Sequence, residues 1–310
     1  ATCIMTEYET KMITPGMSED AQAQTNERYK HRYADIARCW AKYGLGLLNH
    51  SKDRLMDDKD DEGGSTTDEI EKGLASSTLN EASEVLKFDS LNLIAYENIM
   101  TDQYCLTFED AVSLYHAIVA MLDKAKEYYT ADTEATEYAK IIMDYADLYR
   151  VLAFFEETPS NQSKLYKRRA DHYEDLLKLL NPSYYLSICR DCWYECGLSY
   201  SMMLDIKLDA LAQLKIDEAP TPHALNKINT LCKKAITHYK SFIDSFKKKD
   251  TDDLMSNIPD ENMQTILSSY FHVGRLYYKF ITPDKRLQLM NLQDSLKYYK
   301  LFVDECEKNE

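Results

Sequence analysis

The chain has 310 residues, with 37 Lys and Arg against 52 Asp and Glu, so its formal net charge is −15 and its isoelectric point is near 5.0. This acidic excess argues against a nucleic-acid or anionic-membrane surface, because both need cationic counter-charge. Gly and Pro number only 8 and 7, well below their ordinary combined usage of roughly 12%. A β-rich or glycine-cradled cofactor fold would need more turn residues, so the composition predicts a mainly helical protein.

The eight cysteines show no regular framework, and we expect reduced thiols in a cytoplasmic protein. No stretch approaches 18 uncharged apolar residues, and the first residues lack the layout of a signal peptide. We therefore expect no transmembrane segment. The chain begins without Met and ends directly after a helical pattern, as an excised fragment would.

The first predicted element is an amphipathic helix at residues 19–52. Its predicted buried face consists of Tyr33, Ile36, Trp40, Tyr43, Gly44 and Leu47. Residues 53–72 follow with nine acidic and three basic side chains, which predicts a mobile acidic loop. Residues 73–106 have a mixed period and are interpreted as an irregular insertion.

Thr107 with Asp110 three residues later predicts a capping box at the start of the next helix. Further helices are predicted at residues 107–129, 133–157, 163–180, 183–214, 223–249, 261–281 and 292–308. Six prolines are predicted to lie between these helices, where a residue without a backbone N–H is accommodated. They are Pro159, Pro182, Pro220, Pro222, Pro259 and Pro283.

Short links between long helices predict antiparallel hairpins stacked in series. Internal repetition supports this interpretation, because a bulky aromatic followed by a small residue four positions later recurs, as in tetratricopeptide repeats. The pairs are Trp40 and Gly44, Tyr149 and Ala153, Trp193 and Gly197, and Tyr270 and Gly274. The partner-helix pattern recurs at Ala235, Tyr239 and Phe242 and at Ser295, Tyr299 and Phe302. Since the spacing departs from 34 residues, we predict an all-α, divergent tetratricopeptide-like α-solenoid of antiparallel helix pairs.

Catalytic and metal-binding patterns give no positive signal. Cys189, Cys192 and Cys196 share one helical face and are either metal ligands or a helix contact. Because structural zinc needs four ligands and no further cysteine or histidine is near in sequence, the helix contact is favoured. The histidines have no paired metal spacing, and no Walker loop or nucleophile elbow occurs. We expect neither an enzyme nor a cofactor.

A basic run on the helix predicted at residues 163–180 has two interpretations. It contains Lys164, Lys167, Arg168 and Arg169, and it could bind an acidic partner. Alternatively, it is a solvated helix face balanced by nearby acidic side chains, which is the favoured interpretation. The 24 tyrosines also have two interpretations, as solenoid core residues or as rigid contact area at a protein interface.

Four longer strings resemble the KIF-binding protein family, also called kinesin-binding protein. They are RYADIARCW at 32–40, YRVLAFFE at 149–156, LNPSYYL at 180–186 and YFHVGRLY at 270–277. The matches are in order and span about residues 29–309, whereas residues 53–105 match poorly. The resemblance covers the C-terminal half of the family, which implies that residues 1–310 form a C-terminal domain whose N-terminal half is absent.

The resemblance implies an α-solenoid that binds kinesin motor domains and prevents them from engaging microtubules. It further implies a cytoplasmic, cytoskeleton-associated protein linked to mitochondrial distribution, axonal growth and nervous-system differentiation. No cofactor, catalysis or nucleic-acid partner is implied. The alternative is a generic tetratricopeptide-like adaptor that binds peptide segments.

Polar neighbours of the matching strings are the candidate partner-binding residues. They are Tyr29, Arg32, Asp35, Lys42, Lys167, Arg168 and Arg275. Because a motor faces the acidic microtubule with a basic surface, the −15 charge of this chain could attract the same surface.

Overall fold

A computed structural model describes residues 2, 17–60, 100–214, 219–249, 251 and 253–308. These residues include the helices α1 (Glu19–Asp60), α2 (Phe108–Lys126), α3 (Ala135–Phe155), α4 (Pro159–Leu179), α5 (Pro182–Ala212), α6 (Pro222–Asp244), α7 (Asp260–Tyr278) and α8 (Lys285–Lys308). Within the one predicted domain, the structure has two compact units, residues 1–130 and 131–310. None of the described helices is long and apolar enough to cross a membrane.

The first unit is an antiparallel hairpin of α1 and α2. Asp35 near the start of α1 contacts Tyr129 after α2, whereas Ser51 further along α1 accepts a hydrogen bond from the Cys105 amide before α2 at 3.0 Å. At the centre, a Cβ built on Gly44 would lie 2.7 Å from Cγ1 of Ile118. The absence of a side chain at Gly44 therefore lets the two helices approach closely.

The predicted buried face of α1 was wrong in part. The buried row consists of Ala34, Ala37, Ala41, Leu45 and Leu48, together with Gly44. The larger predicted residues lie outside this row, where they are partly buried or, like Tyr43 at 47%, exposed. Small side chains permit close helix packing, so the alanines and not the aromatic rings occupy the helix contact.

Helix α1 also runs eight residues into the segment that was predicted to be a mobile acidic loop. The sequence at this point contains Leu55, Met56 and Lys59, which all favour helix. The Arg54 guanidinium lies 5.2 Å from the centre of the Tyr104 ring, which holds this end of the helix to the chain before α2. Residues 61–99, which include the rest of the predicted loop and most of the predicted insertion, lie outside the described residues.

The second unit contains α3 to α8, and each helix packs against its neighbours in sequence. Contacts between α5 and α6 show the antiparallel arrangement. Arg190 near the start of α5 lies over the ring of Phe246 after α6, while Tyr200 later in α5 stacks on His238 earlier in α6. Contacts also join alternate helices, since Asp205 of α5 binds Arg275 of α7. This is the arrangement of an α-solenoid.

Gly197 and Gly274 of the repeat signature mark close helix contacts, as predicted. A Cβ on Gly197 would lie 2.7 Å from the ring of Tyr239, and one on Gly274 would lie 3.1 Å from the ring of Tyr299. Ser295 Oγ donates a hydrogen bond to the Gly274 carbonyl oxygen at 2.8 Å. The small residue of one helix thus faces an aromatic ring of its partner, which confirms the tetratricopeptide-like solenoid.

The helix boundaries differ from prediction mainly at prolines. Pro159, Pro182 and Pro222 begin α4, α5 and α6 and do not lie in the links. Proline fits the first turn because the amide it lacks has no partner within the helix there. The capping box at α2 is confirmed, because Thr107 Oγ1 accepts from the Asp110 amide at 3.2 Å and Asp110 accepts from the Thr107 amide at 3.1 Å.

Candidate functional site

Three of the candidate residues, Arg32, Asp35 and Lys42, lie on α1 outside its buried alanine row. A helix turns about 100° per residue, which places these three within one quadrant of the surface. Arg32 and Lys42 are exposed, and Tyr29 is half-buried and stacks on Tyr33 with ring centres 5.9 Å apart. The structure therefore places Arg32, Asp35 and Lys42 on one side of α1, with Tyr29 on the adjoining side about one turn before Arg32, and we call this surface the α1 face.

Asp35 has structural partners within the first unit. The Tyr129 hydroxyl donates to its Oδ1 at 2.5 Å, and the Arg32 guanidinium lies 3.6 Å from its Oδ2. Burial and this hydrogen bond to Asp35 raise the pKa of Tyr129, so its hydroxyl stays protonated and donating. Asp35 thus ties α1 to the residues after α2, and its replacement would disturb the hairpin as well as the surface.

Lys167 and Arg168 lie on α4 in the second unit. Lys167 is ion-paired with Asp171 one turn later on the same helix. Arg168 is exposed, and its guanidinium carbon lies 6.0 Å from the centre of the Tyr149 ring on α3. The next residue of the basic run, Arg169, is only 4% exposed and is ion-paired with Glu195 of α5. The basic run is therefore part surface and part helix contact.

Arg275 is committed to a contact between helices. Its Nη2 donates to both carboxylate oxygens of Asp205 at 2.9 and 3.0 Å, and Lys279 binds the same carboxylate. One cation of α7 and a second cation directly after it thus hold one anion of α5, so the charge of Arg275 is matched within the protein. Among the candidate residues, Arg275 is the one whose position argues most for a structural role.

A polar cluster around Glu174 was missed by the sequence analysis. Its carboxylate on α4 accepts from the Tyr200 hydroxyl at 2.6 Å and from Lys234 Nζ at 3.1 Å, and His238 Nε2 lies at 3.3 Å. Hydrogen bonds from His238, Tyr200 and Lys234 hold the pKa of Glu174 well below its ordinary value, against the opposing effect of burial. The partners lie 26 to 64 positions away in sequence, and no local pattern connects them.

The three clustered cysteines on α5 are buried. Cys189, Cys192 and Cys196 have no exposed surface, and burial raises the pKa of each thiol. Cys196 lies next to Gly197 and donates to the Ala170 carbonyl of α4 at 3.8 Å, as a helix-contact residue would. Within the described residues, no three His, Cys, Asp or Glu side chains are grouped to hold a metal ion.

Comparison with known proteins identifies relatives over the whole chain. A family model described as KIF-1 binding protein C terminal matches residues 1–310. A KIF-binding protein of Drosophila melanogaster is 45% identical over 308 residues, which cover 99% of this chain and 50% of that protein. One of Danio rerio is 35% identical over 301 residues, covering 94% of this chain and 46% of that protein.

A solved structure titled "Kinesin binding protein (KBP)" is 21% identical, with a TM-score of 0.47, and the match covers 99% of this chain and 67% of that chain. The chain spans about half the length of the curated relatives that it matches.

Proposed function

The chain belongs to the KIF-binding protein family, and from this premise we propose that it binds kinesin motor domains and blocks their attachment to microtubules. The family is one of binding proteins and is not a known enzyme family. Family membership is the observation that carries this proposal. In the cell, such an activity would regulate kinesin-driven transport in the cytoplasm, including mitochondrial distribution and axonal growth.

The net charge of the chain supports the proposal that it binds the microtubule-binding surface of the motor. A net charge of −15 produces a long-range field that attracts a cationic partner and disfavours an anionic one. A surface that binds the acidic microtubule must itself be cationic, so the same motor surface is attracted to this chain. Occupation of that surface would exclude the microtubule.

The α1 face supplies the proposed direct contacts. Arg32 and Lys42 are exposed and are proposed to contact acceptor groups of the motor, while the net acidic charge of the chain attracts the motor's cations. Tyr29 adds aromatic surface of the kind that is enriched in protein interfaces. Lys167 and Arg168 are proposed as a second contact region on α4. Arg275 is the weakest of the proposed contacts, because its guanidinium is engaged with Asp205.

The proposal is tested by the affinity of purified kinesin motor domains for this chain over a series of salt concentrations. We expect binding that weakens as salt rises, because screening shortens the reach of the electrostatic attraction to about 8 Å at physiological ionic strength. Affinity that does not change with salt would contradict the electrostatic part. Binding to short peptides but not to folded motor domains would instead support the peptide-adaptor alternative.

Truncating Arg32→Ala and Lys42→Ala together is expected to raise the dissociation constant for a motor domain about tenfold, a typical loss for interface contacts. These two substitutions make the chain more acidic, so long-range electrostatic attraction alone would predict tighter binding of the motor domain. Weaker binding therefore reports direct contact. The matched control, Lys30→Ala with Lys140→Ala, removes two other exposed cations, one on another side of α1 and one on α3. We expect this control variant to keep the affinity of the unchanged chain for the motor domain. Equal affinities of the two double variants would exclude the α1 face as a motor-binding surface.

A further inference from the structure

Helix α8 carries a row of exposed apolar side chains along one side. Leu289, Leu292, Leu296 and Val303 are spaced three, four and seven residues apart, so they share one side of the helix. Each is between 42% and 57% exposed. An adjoining side of α8 is occupied, because Ser295 and Tyr298 are buried. We call the exposed row the α8 stripe.

The internal repeat shows what such a face does elsewhere in the solenoid. In the repeat signature, Ser295 of α8 occupies the position of Ala235 in α6, an offset of 60 residues. The same offset makes Leu292, Leu296 and Val303 the counterparts of Cys232, Ile236 and Ile243. On α6 these counterparts are at most 6% exposed, and they belong to one core cluster with Ile266 and Val273 of the next helix, α7. The α8 stripe therefore corresponds to a face that receives a helix.

The two ends of α8 carry exposed charges of opposite sign. Lys285 and Arg286 lie in the first turn, and Asp304 and Glu307 lie near the end. The helix dipole disfavours these four charges, while Asp284, which accepts from the amides of Arg286 and Leu287, and Lys308 in the last turn supply the charges that it favours. Within the described residues, these four side chains form no ion pair. An antiparallel copy of the same helix would place the basic end of each beside the acidic end of the other.

We propose that the α8 stripe is a self-association surface, on which α8 of a second copy of this chain packs in antiparallel orientation. The apolar row supplies the buried seam, and the charges at the ends fix the orientation. Such a contact is isologous and closed, so it produces a dimer and not a filament. A single helix pair is a small interface, which corresponds to a reversible dimer with a dissociation constant on the order of 10 µM.

Sedimentation equilibrium of the purified chain over a concentration series tests the proposal. We expect a monomer–dimer equilibrium for the unchanged chain. Leu292→Glu with Leu296→Glu places carboxylates in the seam and is expected to raise the dissociation constant at least about 100-fold. The control Met290→Glu alters an exposed side chain on another side of the same helix and should leave the equilibrium unchanged. Urea unfolding of each variant verifies that the fold is retained.

Charge exchange tests the orientation. One variant carries Lys285→Glu with Arg286→Glu, and the other carries Asp304→Lys with Glu307→Lys. Each alone brings like charges together in the antiparallel pair and should weaken the dimer about tenfold. A mixture of the two restores opposite charges at both ends and should recover the original affinity.

A chain that remains monomeric at 200 µM would overturn the proposal, as would a dimer that tolerates carboxylates in the stripe. A mixture no tighter than its components would refute the antiparallel orientation. If the stripe variants abolish capture of a separate amphipathic helix while the unchanged chain is monomeric, the occupant is that partner and self-association is refuted. The proposed motor contacts lie on α1 and α4, whereas the proposed dimer contact lies on α8. A variant that no longer dimerises can therefore still be tested for motor binding, and the two proposals can fail separately.

Discussion

Replacing Gly197 by Ala is expected to lower the free energy of unfolding of the second unit by about 2 kcal/mol. The new Cβ would lie 2.7 to 2.8 Å from three atoms of the Tyr239 ring, which is fully buried and cannot swing aside. Overpacking of this kind costs roughly 1–3 kcal/mol, and here the rigid neighbour places the cost near the upper end. Alanine gains back about 1 kcal/mol in helix propensity, which reduces but does not reverse the loss.

Two other glycines make the test quantitative. Gly274 has its nearest ring at 3.1 Å, so Gly274→Ala should be close to neutral, whereas Gly46 has no atom within 4 Å and Gly46→Ala should gain about 1 kcal/mol. Urea denaturation measures the free energy of unfolding of all three glycine variants. Adding Gly197→Ala to Tyr239→Leu should cost much less than adding it to the unchanged chain. Equal costs in both backgrounds would show that the ring contact is not the cause.

Replacing Glu174 by Gln is expected to destabilise the second unit by about 2–4 kcal/mol at neutral pH, because a partly buried carboxylate loses its charge while its cationic partner remains. Tyr200, Lys234 and His238 all contact the same carboxylate oxygen, Oε1, so glutamine can keep one acceptor there. It loses the negative charge, and it replaces Oε2, which lies 3.5 Å from Lys234 Nζ, with an amide group that donates. The control is Asp175→Asn, at a neighbouring and largely exposed carboxylate, which should leave stability unchanged.

The pH dependence of this difference has a definite sign. The pKa of Glu174 is lowered in the folded state, so its contribution is present above the unfolded carboxyl pKa of 4.5 and is lost as pH falls through the folded value. The difference in free energy of unfolding between the unchanged chain and Glu174→Gln should therefore shrink as pH falls below about 4.5. Urea denaturation between pH 5 and pH 3 measures this difference, and a difference that does not shrink over that range would contradict the assigned charge state.

Much of the fold could be predicted from the sequence because its signals are local. The low Gly and Pro content, the helical period and the glycine register indicate a solenoid, and Gly197 and Gly274 lie at the predicted contacts. The buried face of α1 was mispredicted because a search for large apolar residues overlooks a row of alanines. The prolines were misplaced because a missing amide is tolerated equally in a link and in a first helical turn.

The candidate site was less predictable for a physical reason. A charged side chain has no sequence signal that distinguishes a partner contact from an ion pair formed by a distant helix. Arg169 and Arg275 read as surface cations, yet they bind Glu195 and Asp205 across helix contacts. The Glu174 cluster joins three helices through long-range pairs that only the packed solenoid brings together. Arg32 and Lys42 are exposed on the α1 face, and Arg32 lies 3.6 Å from Asp35 of the same helix.

The central claim is that this chain binds a motor domain and thereby removes it from microtubules. Co-sedimentation of a kinesin motor domain with stabilised microtubules, at increasing concentrations of the chain, measures this directly. We expect the motor to move from the pellet to the supernatant in proportion to the chain added, and the Arg32→Ala, Lys42→Ala variant to require about tenfold more protein. A motor that binds the chain and yet stays in the pellet at saturating chain would contradict the account.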